Sequence, residues 1–333
     1  ENDSTLSLPD GATFVDTRRI VMVACGTAFY ACQVAKYWFE QIARIPVEID
    51  IASEFRYRDP VLEHDDFLIV VSQSGETADT LAALRHAKGQ VRCIFAIVNV
   101  PTSSIARDAD VVMPIFAGPE IGVASTKAFT AQLLSLLLLA AKAGLDRSTL
   151  NNDRLKSLMS DIREAPGLMS QVLDKQQEFM RTAETLAEHD DVLFLGRGTM
   201  YPMALEAALK LKEISYIHAE AYAAGELKHG PIALIDKTLP VVIFAPKDAL
   251  FEKTVSNMQE VMARHGLVTL LTDLEGSKLA GSGHSVIIMP KIPHIVAPLI
   301  YAIPAQMLAY TTALARGTDV DQPRNLAKSV TVE

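Results

Sequence analysis

The chain matches itself. Displaced by 172 positions, Ile20-Val21-Met22-Val23 falls on Val192-Leu193-Phe194-Leu195, and Gly26-Thr27 falls on Gly198-Thr199. The same displacement lays Ala52-Ser53-Glu54-Phe55 over Ala224-Gly225-Glu226-Leu227, and Ile69-Val70-Val71 over Val241-Val242-Ile243. One offset that holds across separate blocks without a gap signals two copies of one supersecondary unit. In the first copy, residues 20–24, 67–71, 93–98 and 111–115 are short runs of strand length, and the first two are apolar throughout. Helical patterns follow the first to about residue 42 and the second from Thr77 onward. Strands apolar on both faces, alternating with helices, predict an α/β fold of three α/β/α layers with mostly parallel sheets. A chain of 333 residues has room for two such domains. The expected boundaries are a linker remnant over 1–19, one unit over 20–145 and a helical connector over 146–190, broken at Pro166-Gly167. A second unit then covers 191–316, and an ordered C-terminal tail covers 317–333.

Composition removes several function classes. Lys and Arg number 31 against 40 Asp and Glu, a net charge of −9, and aromatics are 6%, so no nucleic-acid partner is expected. Three cysteines, Cys25, Cys32 and Cys93, form no disulfide framework and fit a reducing cytoplasm. The apolar runs 133–141 and 295–315 read as core helices: Ser135 interrupts the first, and Pro298, Pro304 and Gln306 the second, so no membrane partner is expected. The polar start without Met predicts no signal peptide and a piece of a longer protein. Seven histidines other than His229 show no ligand spacing, so neither metal nor cofactor is expected.

The copies differ where chemistry is expected. After its third apolar run the first copy has Ser72-Gln73-Ser74-Gly75-Glu76-Thr77, and the second has Phe244-Ala245-Pro246-Lys247-Asp248-Ala249. A strand that ends in Ser-x-Ser-Gly-x-Thr and opens a helix can cradle an anion, through backbone N–H groups, the helix dipole and the hydroxyls of Ser72, Ser74 and Thr77. The plainer reading is a helix N-cap. No P-loop lysine and no G-x-G-x-x-G occur, which disfavours nucleoside triphosphates and dinucleotides. Lys210 and Glu213 are three apart on one helix face, and on the residues alone read as a solvated ion pair. His229, in the turn signal Lys228-His229-Gly230-Pro231, is either a proton-exchanging group or a turn histidine bonded to backbone. Lys328, near the chain end, reads first as a surface charge.

Residues 72–80, Ser-Gln-Ser-Gly-Glu-Thr-Ala-Asp-Thr, resemble the phosphosugar turn of the sugar isomerase (SIS) domain family. Residues 120–127, the helix 207–215, Gly225-Glu226-Leu227-Lys228-His229-Gly230-Pro231 and the C-terminal 321–333 narrow the resemblance to the isomerase half of the glucosamine-6-phosphate synthases. That resemblance implies two SIS domains acting on fructose 6-phosphate and yielding glucosamine 6-phosphate. Ser72, Gln73, Ser74 and Thr77 would hold the phosphate, and Gly26, Thr27, Val123 and Ala327 would line the sugar site. Lys328 would form a Schiff base with C2, and Glu213, with Lys210 beside it, would move the proton between C1 and C2. His229 would assist ring opening from the neighbouring subunit of a homodimer. Ala28 departs from the family, which often has Ser there. The ammonia-releasing N-terminal glutaminase domain of such synthases has no counterpart in this chain. A phosphosugar sensor and a deglycase or aminosugar deaminase remain alternative readings, and the 321–333 tail favours the synthase.

Overall fold

A computed structural model describes residues 8–9, 11 and 13–331. Residues 1–7, 10 and 12 of the expected linker, and Val332 and Glu333 of the expected tail, lie outside the described residues. The chain divides into two compact units, Glu1–Met159 with Ala327–Glu333, and Ser160–Leu326.

The first unit runs β1 (Arg19–Ala24), α1 (Gly26–Trp38), β2 (Val47–Ile51), α2 (Ala52–Phe55), β3 (Asp66–Ser72), α3 (Ala78–Ala87), β4 (Cys93–Val98), α4 (Ser104–Asp108), β5 (Val111–Pro114) and α5 (Lys127–Asp146). Its five strands are all parallel, in the order β2-β1-β3-β4-β5. The four runs read from sequence are β1, β3, β4 and β5. No apolar run marks β2 in the sequence, because Glu48 and Asp50 interrupt it. At the sheet edge those carboxylates pair instead with Arg19 and with Arg58. Parallel neighbours need crossovers, and alternate residues of each strand therefore pack on helices at both faces. One face carries Val21, Val23, Leu68, Val70, Ile94 and Ala96 against Phe55, Ala83, Leu84 and Ile105. The chain reverses its direction of travel across the sheet between β1 and β3, and there the carboxyl-end loops part to leave a crevice.

The second unit holds most of α6 (Asn152–Leu173), then α7 (Gln176–Ala187), β6 (Asp191–Gly196), α8 (Met200–Ser215), β7 (His218–Ala223), β8 (Pro240–Phe244), α9 (Phe251–Met262), β9 (Leu267–Asp273), α10 (Leu274–Ala280), β10 (Ser285–Met289) and α11 (Ala297–Arg316). Its parallel sheet, β10-β9-β8-β6-β7, repeats the first topology when read from the other edge, and β6 begins 172 residues after β1. The α/β fold with tandem units and parallel sheets is the one the repeat predicts. Helices α5 and α11 are long and apolar enough to cross a membrane by length and composition, with mean hydropathy 1.6 and 1.3 over their most apolar windows. Of those windows 67% and 72% are buried in the fold, which makes them core helices.

Two expectations need correction. The chain does not break at Pro166-Gly167: α6 continues through Pro166. Both residues lie on the exposed side, where solvent can reach the carbonyl left without a donor by the missing proline N–H. Residues 13–19 are not all linker. Phe14 is fully buried, with its ring 4.5 Å from that of Phe67 and 6.1 Å from that of Phe39. Its backbone N–H donates to Asp146 Oδ2 at 3.1 Å. Phe14→Ala should therefore destabilise the first unit by about 3–5 kcal/mol, read as a lowered melting temperature. A change within about 0.5 kcal/mol, as expected for a surface linker, would contradict this placement.

Candidate active site

Strand β3 delivers the hydroxyl-rich turn to the crevice. Ser72, its last residue, is 3% exposed. Its Oγ accepts the Gly75 N–H at 3.0 Å and lies 3.1 Å from Thr77 Oγ1. Gly75 takes φ +69°, and a Cβ there would sit 2.0 Å from Ser103 Oγ, so this position requires glycine. The turn is pinned to its neighbours by Asn99 N–H donating to the Gln73 carbonyl at 3.1 Å and Ile105 N–H donating to the Gly75 carbonyl at 3.0 Å. Ser74 Oγ accepts from the Glu76 N–H at 3.2 Å, and Glu76 Oε1 accepts from the Ser104 N–H at 2.8 Å. That Ser104 bond holds the Glu76 carboxyl below the usual range. Thr77 is the N-cap residue of α3 without a side-chain cap, because its hydroxyl faces Ser72.

A cavity of about 140 Å³ opens on this turn, and Thr27, Ser72, Gln73, Ser74, Thr77 and Lys328 are in its lining. Gly26, Val123 and Ala327 are absent from that lining, but each adjoins in sequence a residue of the same cluster: Thr27, Gly122 or Lys328. Cys25 also lines it. Burial pushes its thiol above the usual range, against a smaller opposing effect of the Thr80 hydroxyl, so it is a poor nucleophile. A cavity of about 1080 Å³ lies in the second unit, among α7, β9 and β10. Size alone would favour it, but it holds none of the predicted site residues and does not sit at the carboxyl ends of the strands, where such folds bind ligands.

Lys328 joins the turn through the C-terminal segment. Its Nζ donates to Glu120 Oε2 at 2.6 Å and to the Gly122 carbonyl at 2.9 Å. The side chain is 28% exposed, whereas that of Glu120 is 4% exposed. Burial pushes the Glu120 carboxyl up, but hydrogen bonds from Lys328 and from the amides of Thr126 and Ala128 outweigh it and hold the group below the usual range. The neighbours Leu326 and Val330 are themselves exposed, so it is this polar socket, and not apolar packing, that shelters the lysine. Beside it, Ser329 Oγ lies 3.0 Å from Ser74 Oγ, and the Val330 carbonyl accepts the Ala78 N–H at 3.1 Å. In the sequence Glu120 stands out only as part of the segment 120–127. No local signal marks its role, because Ser125-Thr126 directly before α5 reads as an ordinary N-cap.

The second unit carries the remaining predicted groups. On α8, Lys210 Nζ lies 2.5 Å from Glu213 Oε2 and 3.6 Å from Glu206 Oε1. The solvated-pair reading fails: Lys210 is 2% exposed and Glu206 wholly buried, while Glu213 keeps 21% of its side chain exposed. A buried ammonium is tolerated only with carboxylate partners, and the i, i+4, i+7 spacing of 206, 210 and 213 supplies two on one face. Glu206 was missed, although that spacing is legible in the sequence. His229 ends a 3₁₀ segment, Ala224–His229, and is exposed; Ala224 and Leu227 anchor the segment in the core. The tail is ordered before residue 327 as well. Arg324 stacks its guanidinium 4.2 Å from the centre of the Tyr216 ring, and the Arg324 backbone N–H donates to the Tyr216 hydroxyl at 2.9 Å. Among the described residues no three His, Cys, Asp or Glu side chains are grouped to hold a metal.

With this geometry in hand, comparison with known proteins is decisive for the family. Residues 13–142 and 185–316 both match the family model described as SIS domain. The chain belongs to the SIS domain family. It is 59% identical over 321 residues to a glutamine–fructose-6-phosphate aminotransferase (isomerizing) of Bradyrhizobium diazoefficiens, covering 96% of this chain and 53% of that protein. It is 57% identical over 324 residues to the protein of that name from Brucella abortus, covering 97% and 53%. The chain thus spans about half the length of the curated relatives it matches. Among solved structures, the C-terminal domain of glucosamine-fructose-6-phosphate aminotransferase from Francisella tularensis superposes with a TM-score of 0.91 at 44% identity, over 93% of this chain and 88% of that one. Both SIS repeats carry the fold, and the first alone has the Ser-Gln-Ser-Gly turn. If that turn depends on a bare Cα at position 75, Gly75→Ala should cost about 1–3 kcal/mol of stability. An unchanged melting temperature would contradict the clash with Ser103.

Proposed function

We propose that this chain is the sugar-phosphate half of a glutamine–fructose-6-phosphate aminotransferase, converting fructose 6-phosphate and ammonia to glucosamine 6-phosphate and water. Alone it interconverts fructose 6-phosphate and glucose 6-phosphate. The observation that carries this reading is the presence, in the lining of one cavity, of both the hydroxyl turn and Lys328. A phosphate-binding sensor needs the turn but not the lysine, so the sensor reading is the weaker one.

In the proposed sequence the phosphate settles on Ser72, Gln73, Ser74 and Thr77, at the N-terminus of α3, where amides and the helix dipole favour negative charge. His229 passes a proton between ring oxygen and hydroxyl to open the sugar. The Lys328 amine then attacks the C2 carbonyl, and water leaves as the imine forms. Ammonia adds at C2 and displaces the lysine amine to leave a C2 imine. Glu213 then takes a proton from C1 and returns it to C2 while the O1 proton passes to the nitrogen, leaving the aldehyde at C1 and the amine at C2. Lys210, buried against Glu213, orients that carboxylate. Gly26, Thr27, Val123 and Ala327 line the sugar. The helices of 146–190 join the two domains in the chain, and the 317–333 tail follows the second. An N-terminal glutaminase supplies ammonia, a homodimer brings His229 to the site from the neighbouring subunit, and the enzyme works in the cytoplasm.

Borohydride reduction in the presence of fructose 6-phosphate, followed by peptide mass mapping, should place the adduct on Lys328. An adduct on another lysine, or none, would remove the imine step. In the same preparation Glu213→Gln should lower isomerisation to glucose 6-phosphate by about 100-fold or more while leaving the adduct in place. Unchanged turnover would free Glu213 of the role of base.

A further inference from the structure

Glu120 lies in the loop between β5 and α5, and its two carboxylate oxygens serve different partners. Oε1 accepts from the amides of Thr126 at 2.9 Å and Ala128 at 3.2 Å, and from the Thr126 hydroxyl at 3.3 Å. These amides open α5, a helix of 20 residues whose N-cap residue, Thr126, makes no side-chain cap bond. Glu120 therefore caps α5 from outside the helix, and the aligned N–H groups favour its negative charge. Oε2 faces the other way, accepting from Lys328 Nζ at 2.6 Å and from Ser125 Oγ at 3.4 Å. The Gly122 carbonyl takes a second proton of the ammonium at 2.9 Å.

A lysine stem has four carbons and wanders unless its head is held. Here the backbone beside Lys328 is tied to the phosphate turn through Ser329 and Val330, and the head is tied to the cap of a 20-residue helix. Both ends of the side chain are thereby referred to rigid elements at the edge of one cavity. Such restraint removes orientational entropy before the reaction. We propose that Glu120 is the positioning residue of the imine-forming lysine: it caps α5 with one oxygen and holds Lys328 Nζ beside the phosphosugar cavity with the other. This inference rests on the assignment of Lys328 as the imine-forming residue. Glu120 acts through Lys328 and has no part in phosphate binding.

The two-sided contact suggests a test that separates capping from positioning. Glu120→Gln keeps a carbonyl oxygen for the α5 amides but turns an NH₂ group, a donor, toward the Lys328 ammonium. In the 333-residue chain at saturating fructose 6-phosphate, borohydride capture at Lys328 should slow by about tenfold or more. The fructose 6-phosphate concentration for half-maximal capture should change by less than about threefold, which separates the rate from ground-state binding. The melting temperature should stay within about 2 °C of the unaltered chain. Capture at the unaltered rate overturns the role of Glu120. So does a slowing matched by an equal loss of sugar binding, or accompanied by a large fall in melting temperature. Absence of an adduct at Lys328 in the unaltered chain overturns the Lys328 assignment, and this inference with it.

Discussion

Parallel strands cannot be joined by a tight hairpin, and that obligation governs both units of this protein. Each strand must be followed by a crossover, the crossovers cover both faces, and the central strands become largely apolar along their length. β3 is buried at all seven of its positions, from Asp66 to Ser72. What the crossovers leave open is the carboxyl edge, and there the order β2-β1-β3-β4-β5 makes neighbouring loops diverge between β1 and β3. Thr27 follows β1, Ser72 ends β3, and both line the same small cavity. The position of the site is thus a consequence of topology, and its chemistry a consequence of what the turn after β3 contains.

The duplication isolates that second variable. Both copies build the same sheet, but only the first ends its third strand in hydroxyls and a left-handed glycine. In the second copy the strand ends at Phe244, a buried residue whose ring lies 5.9 Å from that of Tyr301, and the following residues include Pro246. Without that turn, the second copy instead carries Glu206, Lys210 and Glu213 on one face of α8. The two copies, built on one scaffold, thus differ in the polar groups they carry.

Much of this was legible in the residues and some was not, for physical reasons. The strands buried on both faces showed themselves as unbroken apolar runs, whereas β2 hid behind Glu48 and Asp50, whose partner arginines come from other parts of the chain. Pro166 signalled a break that an exposed helix face could absorb. The Ser72–Thr77 turn announced itself because turn geometry is local. The burial of Lys210 did not, because an i, i+3 pair looks alike in solvent and in a core until the packing of the other helices is known. The socket of Lys328 was the hardest to foresee, since Glu120 and Lys328 are separated by 208 positions. The resemblance to the SIS family supplied the role expected of Lys328, and the fold supplied its carboxylate partner.

In the proposed function only the first of the two copies binds the phosphosugar, through hydroxyls and amides at the end of β3. Isothermal titration with fructose 6-phosphate tests it most directly, comparing the unaltered chain with Ser74→Ala. One site per chain is expected, weakened about tenfold or more when the Ser74 hydroxyl is removed. Two equivalent sites per chain, or affinity indifferent to Ser74, would contradict it.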